Sequence, residues 1–367
     1  MFPTILQILP ALHAGGVERG TLEIAAAITA SGGRALVASA GGRLVPALEA
    51  LGARHFTLPL DRKSAIWRNG AGLAALARAE GVEILHARSR APAWSALRAA
   101  KLTGLPLVTT WHGTYNENLP GKRLYNSVMA RGDRVIAISD FIAAHILARH
   151  PDARPRLRRI FRGVDPVVFD PEAVAAARVA AQRAAWGLGA GQSAVLLPGR
   201  LTRWKGQAVL IEALGRLADP PLAVLLGDGR PGYAAELRAM ASARGVPLTL
   251  AGHTADMPAA LLAADIVIHA STDAEAFGRV VIEAQAMRRP SIAADLGGPR
   301  ETVVHGQTGW LTPPGDAAAL AETLAAVLAM PDDARAAIGA AARADVLARF
   351  STAAMQAATL DVYRELA

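Results

Sequence analysis

Two glutamates stand eight residues apart in the stretch Asp273-Ala-Glu-Ala-Phe-Gly-Arg-Val-Val-Ile-Glu283. Ahead of them runs an apolar, strand-like segment, Asp265-Ile-Val-Ile-His-Ala-Ser271, and the pattern from Gly278 to Met287 is helical. Glu275 therefore falls in the loop after a strand, and Glu283 about a turn and a half inside the helix. Between them, near Phe277 and Gly278, lie the free N–H groups of a helix start. Such a terminus is an anion site carrying roughly half a positive charge. Two acceptors beside an anion site suit a ligand with hydroxyls at both ends and phosphate in the middle. A nucleotide sugar has that outline. Chance also puts such a glutamate pair into many helices, so the other motifs have to decide.

The segment Gly199-Arg-Leu-Thr-Arg-Trp-Lys-Gly206 places Arg200 and Lys205 five residues apart at the end of another strand-like run. A guanidinium and an ammonium converging on a diphosphate stabilise the charge that grows on a departing nucleotide. Gly15-Gly-Val-Glu-Arg19 opens the first helix; its glycines allow close approach to a phosphate, and an ordinary tight turn has the same composition. It lacks the Gly-x-Gly-x-x-Gly pattern, which disfavours a nicotinamide cofactor. His86-Ala-Arg-Ser-Arg90 and Trp111-His-Gly113 also end strands, where doubly wound sheets gather their active residues. Either histidine could donate a hydrogen bond or move a proton. For His86 a structural histidine with satisfied nitrogens is the stronger alternative. No Asp-x-Asp occurs, no His/Asp/Glu cluster has metal-ligand spacing, and neither a Gly-x-Ser-x-Gly elbow nor a Walker A loop is present.

These side chains require a scaffold of alternating strands and helices. In the first half the apolar runs Thr4–Leu9, Ala35–Ser39, His55–Leu58, Val82–His86, Leu105–Thr110 and Arg134–Ile138 read as strands. The stretches Val17–Ser31, Val45–Leu51, Trp67–Glu80, Pro92–Leu102 and Leu119–Ala130 read as helices, and Ser139 as the cap of a helix reaching Arg149. After a looser stretch, Gly163 to Gln192, five further strands alternate with helices: Ala194–Pro198, Leu222–Leu226, Leu248–Ala251, Ile266–His269 and Ser291–Ala294. From Ala317 onward the pattern is helical. Repeated alternation of this kind implies parallel sheets covered by helices on both faces.

The chain has 367 residues, 52% of them hydrophobic, and no cysteine. That points to two globular domains and excludes disulfides and thiolate metal sites. The first seventeen residues are uncharged, yet they contain Pro3, Pro10, Gly15 and Gly16 and fit neither a signal peptide nor a spanning helix. The expectation is a cytoplasmic protein. Residues 1–165 carry 22 Lys and Arg against 11 Asp and Glu, while residues 166–367 carry 17 against 20. So uneven a balance gives the first half an anionic partner, or else a basic solvated surface.

In this order, Gly15-Gly16, Thr110-Trp-His-Gly113, Gly199-Arg-x4-Lys-Gly206 and Glu275-x7-Glu283 with Phe277-Gly278 inside it resemble the motifs of the retaining glycosyltransferases of family 4. The resemblance covers nearly the whole chain. It implies the GT-B fold, an α/β architecture of two Rossmann-like doubly wound domains facing a central cleft. Residues 1–165 would form the acceptor-side domain, residues 166–350 the donor domain, and a last helix at about 351–367 would pack back on the first. It further implies metal-independent, retaining transfer of a hexosyl group from a nucleotide-diphosphate sugar, UDP-sugar being favoured over GDP-sugar, with no other cofactor. Glu283 would hold the ribose hydroxyls, Glu275 the sugar hydroxyls, and the amides of Phe277 and Gly278 the sugar and phosphate. Arg200 and Lys205 would bind the diphosphate, and His112 would stand beside the reacting carbon. Gly15 and Gly16 would face the donor phosphate, and the loops carrying Gly227, Gly252 and His253 would surround the nucleoside.

Three departures from the family pattern stand out: Arg162 replaces the usual Asn, Ala276 the usual Gly, and Arg88 and Arg90 the usual small polar residues. The two latter arginines are placed to grip an anionic acceptor. The acceptor expected is a glycan or lipid-linked molecule of lipopolysaccharide-core or other cell-envelope synthesis. Peripheral contact with the anionic cytoplasmic face of the inner membrane would go with it. Two other readings are a catalytically silent nucleotide-sugar-binding protein of the same fold and a basic nucleic-acid-binding protein. The second lacks an aromatic-interleaved basic run and any recognised binding module, so no nucleic acid is expected.

Overall fold

The computed structural model describes residues 2–13, 15–189 and 191–367. They form two compact units, one comprising residues 1–162 and 352–367 and the other residues 163–351. Unit 1 runs β1 (Ile5–Ile8), α1 (Gly16–Ala30), β2 (Ala35–Ser39), α2 (Val45–Ala50), β3 (Arg54–Thr57), α3 (Ile66–Ala79), β4 (Ile84–Ala87), α4 (Arg90–Thr103), β5 (Leu107–Trp111), α5 (Lys122–Asn126), β6 (Arg134–Ala137), α6 (Asp140–Arg149) and β7 (Leu157–Arg159). Its sheet is parallel throughout, in the order β3-β2-β1-β4-β5-β6-β7. β1, β2, β4 and β5 are buried at every residue, as strands covered on both faces must be. Chain order reverses between β1 and β4, which makes their carboxyl ends the switch point. Ser139 caps α6 as expected, its hydroxyl accepting from the Ile142 N–H at 3.0 Å.

Unit 2 continues with α7 (Ala176–Ala185), β8 (Ala194–Pro198), α8 (Gln207–Leu214), β9 (Leu222–Leu226), α9 (Pro231–Ala243), β10 (Leu248–Gly252), α10 (Met257–Ala263), β11 (Ile266–His269), α11 (Arg279–Ala286), β12 (Ser291–Ala294), α12 (Pro299–Thr302), β13 (Trp310–Thr312), α13 (Ala317–Leu328) and α14 (Asp332–Arg349). Its parallel sheet has the order β10-β9-β8-β11-β12-β13, and the switch point lies between β8 and β11. The loops that open there are the two carrying Arg200–Lys205 and Glu275.

The last helix, α15 (Thr352–Arg364), belongs to unit 1. Tyr363 is fully buried in that unit's core beside Ile5, Ile24 and Ile28. Glu365, just beyond the helix, joins Arg134 at 2.5 Å and Arg158 at 2.7 Å, and Gln356 donates to the Glu23 carbonyl at 2.7 Å. The two arginines hold the Glu365 carboxyl down at about 2.

Three local expectations change. The stretch 163–192 is not merely loose: it contains α7, whose Arg178 forms a two-pronged bond to Asp256 at 2.8 and 2.7 Å. Arg183 of the same helix donates to the Ala263 carbonyl at 2.8 Å. Its alanines favour helix, and the partners that fix it lie some eighty residues downstream. Residues 119–130 do not form one helix, because Pro120 and Gly121 delay its start and α5 gives way to a tighter 3-10 turn over Ser127–Ala130. Trp310–Thr312, which the apolar pattern did not mark as a strand, is a sixth strand paired with β12.

Candidate active site

At the switch point of unit 2 the loop after β8 and the loop after β11 meet. Gly206 allows it: its φ is 75°, and a Cβ there would lie 1.8 Å from the Ala270 carbonyl oxygen. That approach delivers Lys205 to Glu275, and the two form an ion pair. Glu275 gathers two more side chains. The Ser271 hydroxyl donates to its Oε1 at 2.6 Å, and His269 Nε2 comes within 2.8 Å of the same oxygen. The imidazole is not aligned for a hydrogen bond there, and its Nδ1 is buried without a partner. Burial alone would push the Glu275 carboxyl up, but His269 and Lys205 hold it well below the usual carboxylate range. The result is a partly buried carboxylate, permanently ionised at neutral pH, with an ammonium against it.

Arg200 lies on the same loop as Lys205, exposed and without an ion pair to a described residue, while its carbonyl accepts from the Gln207 side chain at 3.0 Å. Glu283 is only 5% exposed within α11, and Arg279 Nε stands 3.6 Å from it. Gly278 caps α11 with φ 81°. Phe277 contributes its ring to the core, edge-on to Phe350 with centroids 5.4 Å apart. Gly227 follows β9, and β10 ends, after a register shift, in Gly252, with His253 exposed beyond it. Sequence reasoning assigned no role to His269 or Ser271. The available signal was a polar residue closing an apolar strand, immediately before the glutamate loop.

Unit 1 presents a different arrangement. Gly15 precedes α1, and Gly16 begins it. Arg162, where the family pattern has Asn, is buried and donates to the Gly16 carbonyl at 2.7 Å, with Glu23 at 3.4 Å. It therefore fixes the glycine loop. His86 is saturated: Nδ1 bonds the Tyr363 hydroxyl at 2.6 Å and Nε2 the Thr110 hydroxyl at 2.7 Å. Burial and, second, Arg88 push its pKa well down, so the ring is neutral. Arg88 is buried as well, donating to Gln7 Oε1 at 2.6 Å, with its Nε unpartnered. His86, Arg88, Thr110, Arg162 and Met355 line a narrow recess of about 10 Å³, room for about one water. His112 is half-buried with its Nε2 shielded from solvent. Burial, then Arg88, Arg162 and His86, hold its pKa well below the ordinary histidine value. Arg90 does not lie free: it stacks 4.3 Å over Tyr115 and donates to Asn126 at 3.0 Å.

Known proteins share this layout. Residues 14–168 match the Glycosyltransferase Family 4 model, and residues 179–345 match the Glycosyl transferases group 1 model. A D-inositol 3-phosphate glycosyltransferase of Xylanimonas cellulosilytica is 32% identical over 315 residues, covering 78% of this chain and 73% of its own length. The chain belongs to the family 4 glycosyltransferases. Among solved structures, a glycosyltransferase from Rickettsia africae ESF-5 superposes with a TM-score of 0.91 at 33% identity, over 100% of this transferase and 98% of that chain. The Anabaena protein Alr3699/HepE, solved with UDP and glucose, gives a TM-score of 0.87 at 26% identity over 99% and 100% of the two chains. Both units of the transferase thus have the Rossmann-like form of GT-B enzymes.

Proposed function

We propose that this glycosyltransferase moves a sugar from a nucleotide-diphosphate donor, a UDP-sugar, to an anionic acceptor with retention of the anomeric configuration. The observation that carries the reading is the Lys205–Glu275 pair, braced by Ser271 and His269 at the switch point of unit 2, with Arg200 on the same loop. Arg200 and Lys205 are assigned to the diphosphate, where their charges would stabilise the departing nucleotide without requiring a metal. Glu275, held ionised, is assigned to the sugar hydroxyls, and Glu283 to the ribose. The α11 start at Phe277–Gly278 is assigned to the phosphate, and Gly227, Gly252 and His253 to the nucleoside. From unit 1 we assign Gly15 and Gly16 to the donor phosphate. His112 is assigned to the reacting carbon, where a neutral imidazole can donate without adding a repelling charge. The UDP bound by the Anabaena relative supports the choice of base.

The acceptor assignment rests on charge. Unit 1 has 23 Lys and Arg against 12 Asp and Glu, whereas unit 2 has 16 against 19. Such a balance suits a phosphorylated or lipid-linked glycan of cell-envelope synthesis, lipopolysaccharide core among them, met at an anionic membrane face. No helix among the described residues is long and apolar enough to cross a membrane, so contact there would be peripheral.

A thermal-shift panel of UDP, GDP and ADP with their sugars tests the donor. UDP and its sugars should raise the midpoint of the wild type, and Lys205→Ala and Glu275→Ala should lose part of the shift. If no nucleotide stabilises the wild type, the reading fails. A shift without sugar transfer or donor hydrolysis would instead mark a silent binding protein.

A further inference from the structure

Unit 1 carries a basic, aromatic surface that the donor chemistry does not use. Residues 62–68, 90–98 and 118–131 contain eight Lys and Arg and no Asp or Glu. The stretches are distant in sequence, and side-chain contacts join them into one strip. The Arg98 guanidinium of α4 lies 4.4 Å over the Trp67 ring of α3. Gly70 makes room for it, since a Cβ there would lie 2.6 Å from Arg98 Cδ. Arg131 lies 5.2 Å over Trp94, whose indole N–H donates to the Tyr125 carbonyl at 3.0 Å. Lys63 Nζ, just ahead of α3, stands 5.6 Å from the Tyr125 ring. Large apolar side chains are exposed along these stretches: Trp67 at 72%, Leu119 at 62% and Leu124 at 64%.

The strip has a definite position in the unit. Trp67 sits in the first turn of α3 and Trp94 at the start of the second turn of α4, and both helices start at the carboxyl edge of the sheet. His86, Arg88 and His112 are on that same edge.

We propose that this surface docks unit 1 onto an anionic lipid bilayer. Trp67, Leu119 and Leu124 would enter the boundary between headgroups and acyl chains, and the surrounding Lys and Arg would meet lipid phosphate. Tryptophan and basic side chains concentrate at such interfaces. Arg98 covers one face of the Trp67 ring, Arg131 one face of Trp94, and an exposed leucine has no face on which a nucleobase could stack. The sequence shows no aromatic-interleaved basic run because the strip is assembled from three segments. The proposal extends the reading of an acceptor held at a membrane. It leaves the donor assignment independent.

Co-sedimentation of the full chain with phosphatidylcholine vesicles, with and without phosphatidylglycerol, tests it at low salt. The wild type should pellet with the anionic vesicles only. The triple variant Arg62→Gln/Lys63→Gln/Arg68→Gln should bind about a hundredfold more weakly, at about fivefold per charge. Trp67→Ser should also weaken binding, and what remains should be more easily removed by salt. The charge-matched variant Arg216→Gln/Arg238→Gln/Arg244→Gln on unit 2 should bind like the wild type. A UDP thermal shift kept in every variant separates this surface from the donor site. If UDP fails to shift the wild type while the vesicle pattern holds, the donor reading falls and the surface stands. Equal binding to both vesicle types overturns the proposal, as does undiminished binding by the Arg62/Lys63/Arg68 variant. Displacement from vesicles by duplex DNA or RNA at physiological salt would overturn it too.

Discussion

The two units share an architecture but use their switch points differently. In unit 2 the loops after β8 and β11 bring opposite charges together near the surface: Lys205 against Glu275, with Arg200 exposed beside them. In unit 1 the corresponding polar groups are largely consumed by the fold. His86 ties the sheet to Tyr363, Arg88 spends a donor on Gln7, and Arg162 holds the Gly16 carbonyl. On the proposed donor reading, the contrast separates residues that would exchange a protein partner for a ligand from residues that build the floor beneath one. Substitutions at Lys205 or Arg200 should therefore lower rate, and those at His86, Arg88 or Arg162 stability.

The largest effect expected from this contrast is at Lys205. Lys205→Ala should lower kcat by roughly 10²–10³, the cost of removing one preorganised charge at a departing group. A near-normal rate would break the contrast. Ser271→Ala comes next. It removes a hydrogen bond to a carboxylate worth about 1.5–3 kcal/mol, so kcat/KM should fall by about 10- to 100-fold.

Across in unit 1, Tyr363→Phe leaves His86 Nδ1 buried and unpaired. Thermal denaturation should show a loss of about 1–3 kcal/mol with an unchanged UDP shift. A changed shift with unchanged stability would reverse the assignment. The smallest effect belongs to Glu365→Gln, a partly exposed ion pair worth less than about 1 kcal/mol. Its folded pKa lies near 2, below the ordinary glutamate value near 4.5. The stability it adds is therefore full above about pH 5 and declines as the pH falls through 4.5 toward 2. The gap in melting temperature between variant and wild type should close in that direction. A gap that widened with acidification would contradict the pairing with Arg134 and Arg158.

Legibility from the sequence followed the physics of burial. Strands covered on both faces, such as Ile5–Ile8 and Ile266–His269, are short apolar runs and can be read directly. β7, with the sequence Leu-Arg-Arg, lies at the sheet edge and carries no such signal, and β13 is equally short. In the candidate site, Arg200 and Lys205 could be singled out because they share one loop, and Glu275 and Glu283 because they lie eight residues apart across one loop–helix junction. His269 was hidden inside an apolar run, and its role depends on a loop folding back over it. The pairing of His86 with Tyr363 spans 277 residues and leaves no local trace. Arg162 could be noticed as a departure, but only the contact with Gly16 gives that departure a reason.

The return of α15 to unit 1 has a consequence for how the chain is made. The first 162 residues leave the ribosome with a seat prepared around Ile5, Ile24 and His86, and the helix that fills it follows only after the whole of unit 2. Unit 2, an uninterrupted stretch, can close while translation is still under way. Unit 1 must wait with its apolar seat open until Tyr363 emerges. A chain halted or clipped before Thr352 would then keep unit 2 and lose unit 1, so damage to α15 is felt in the amino-terminal half.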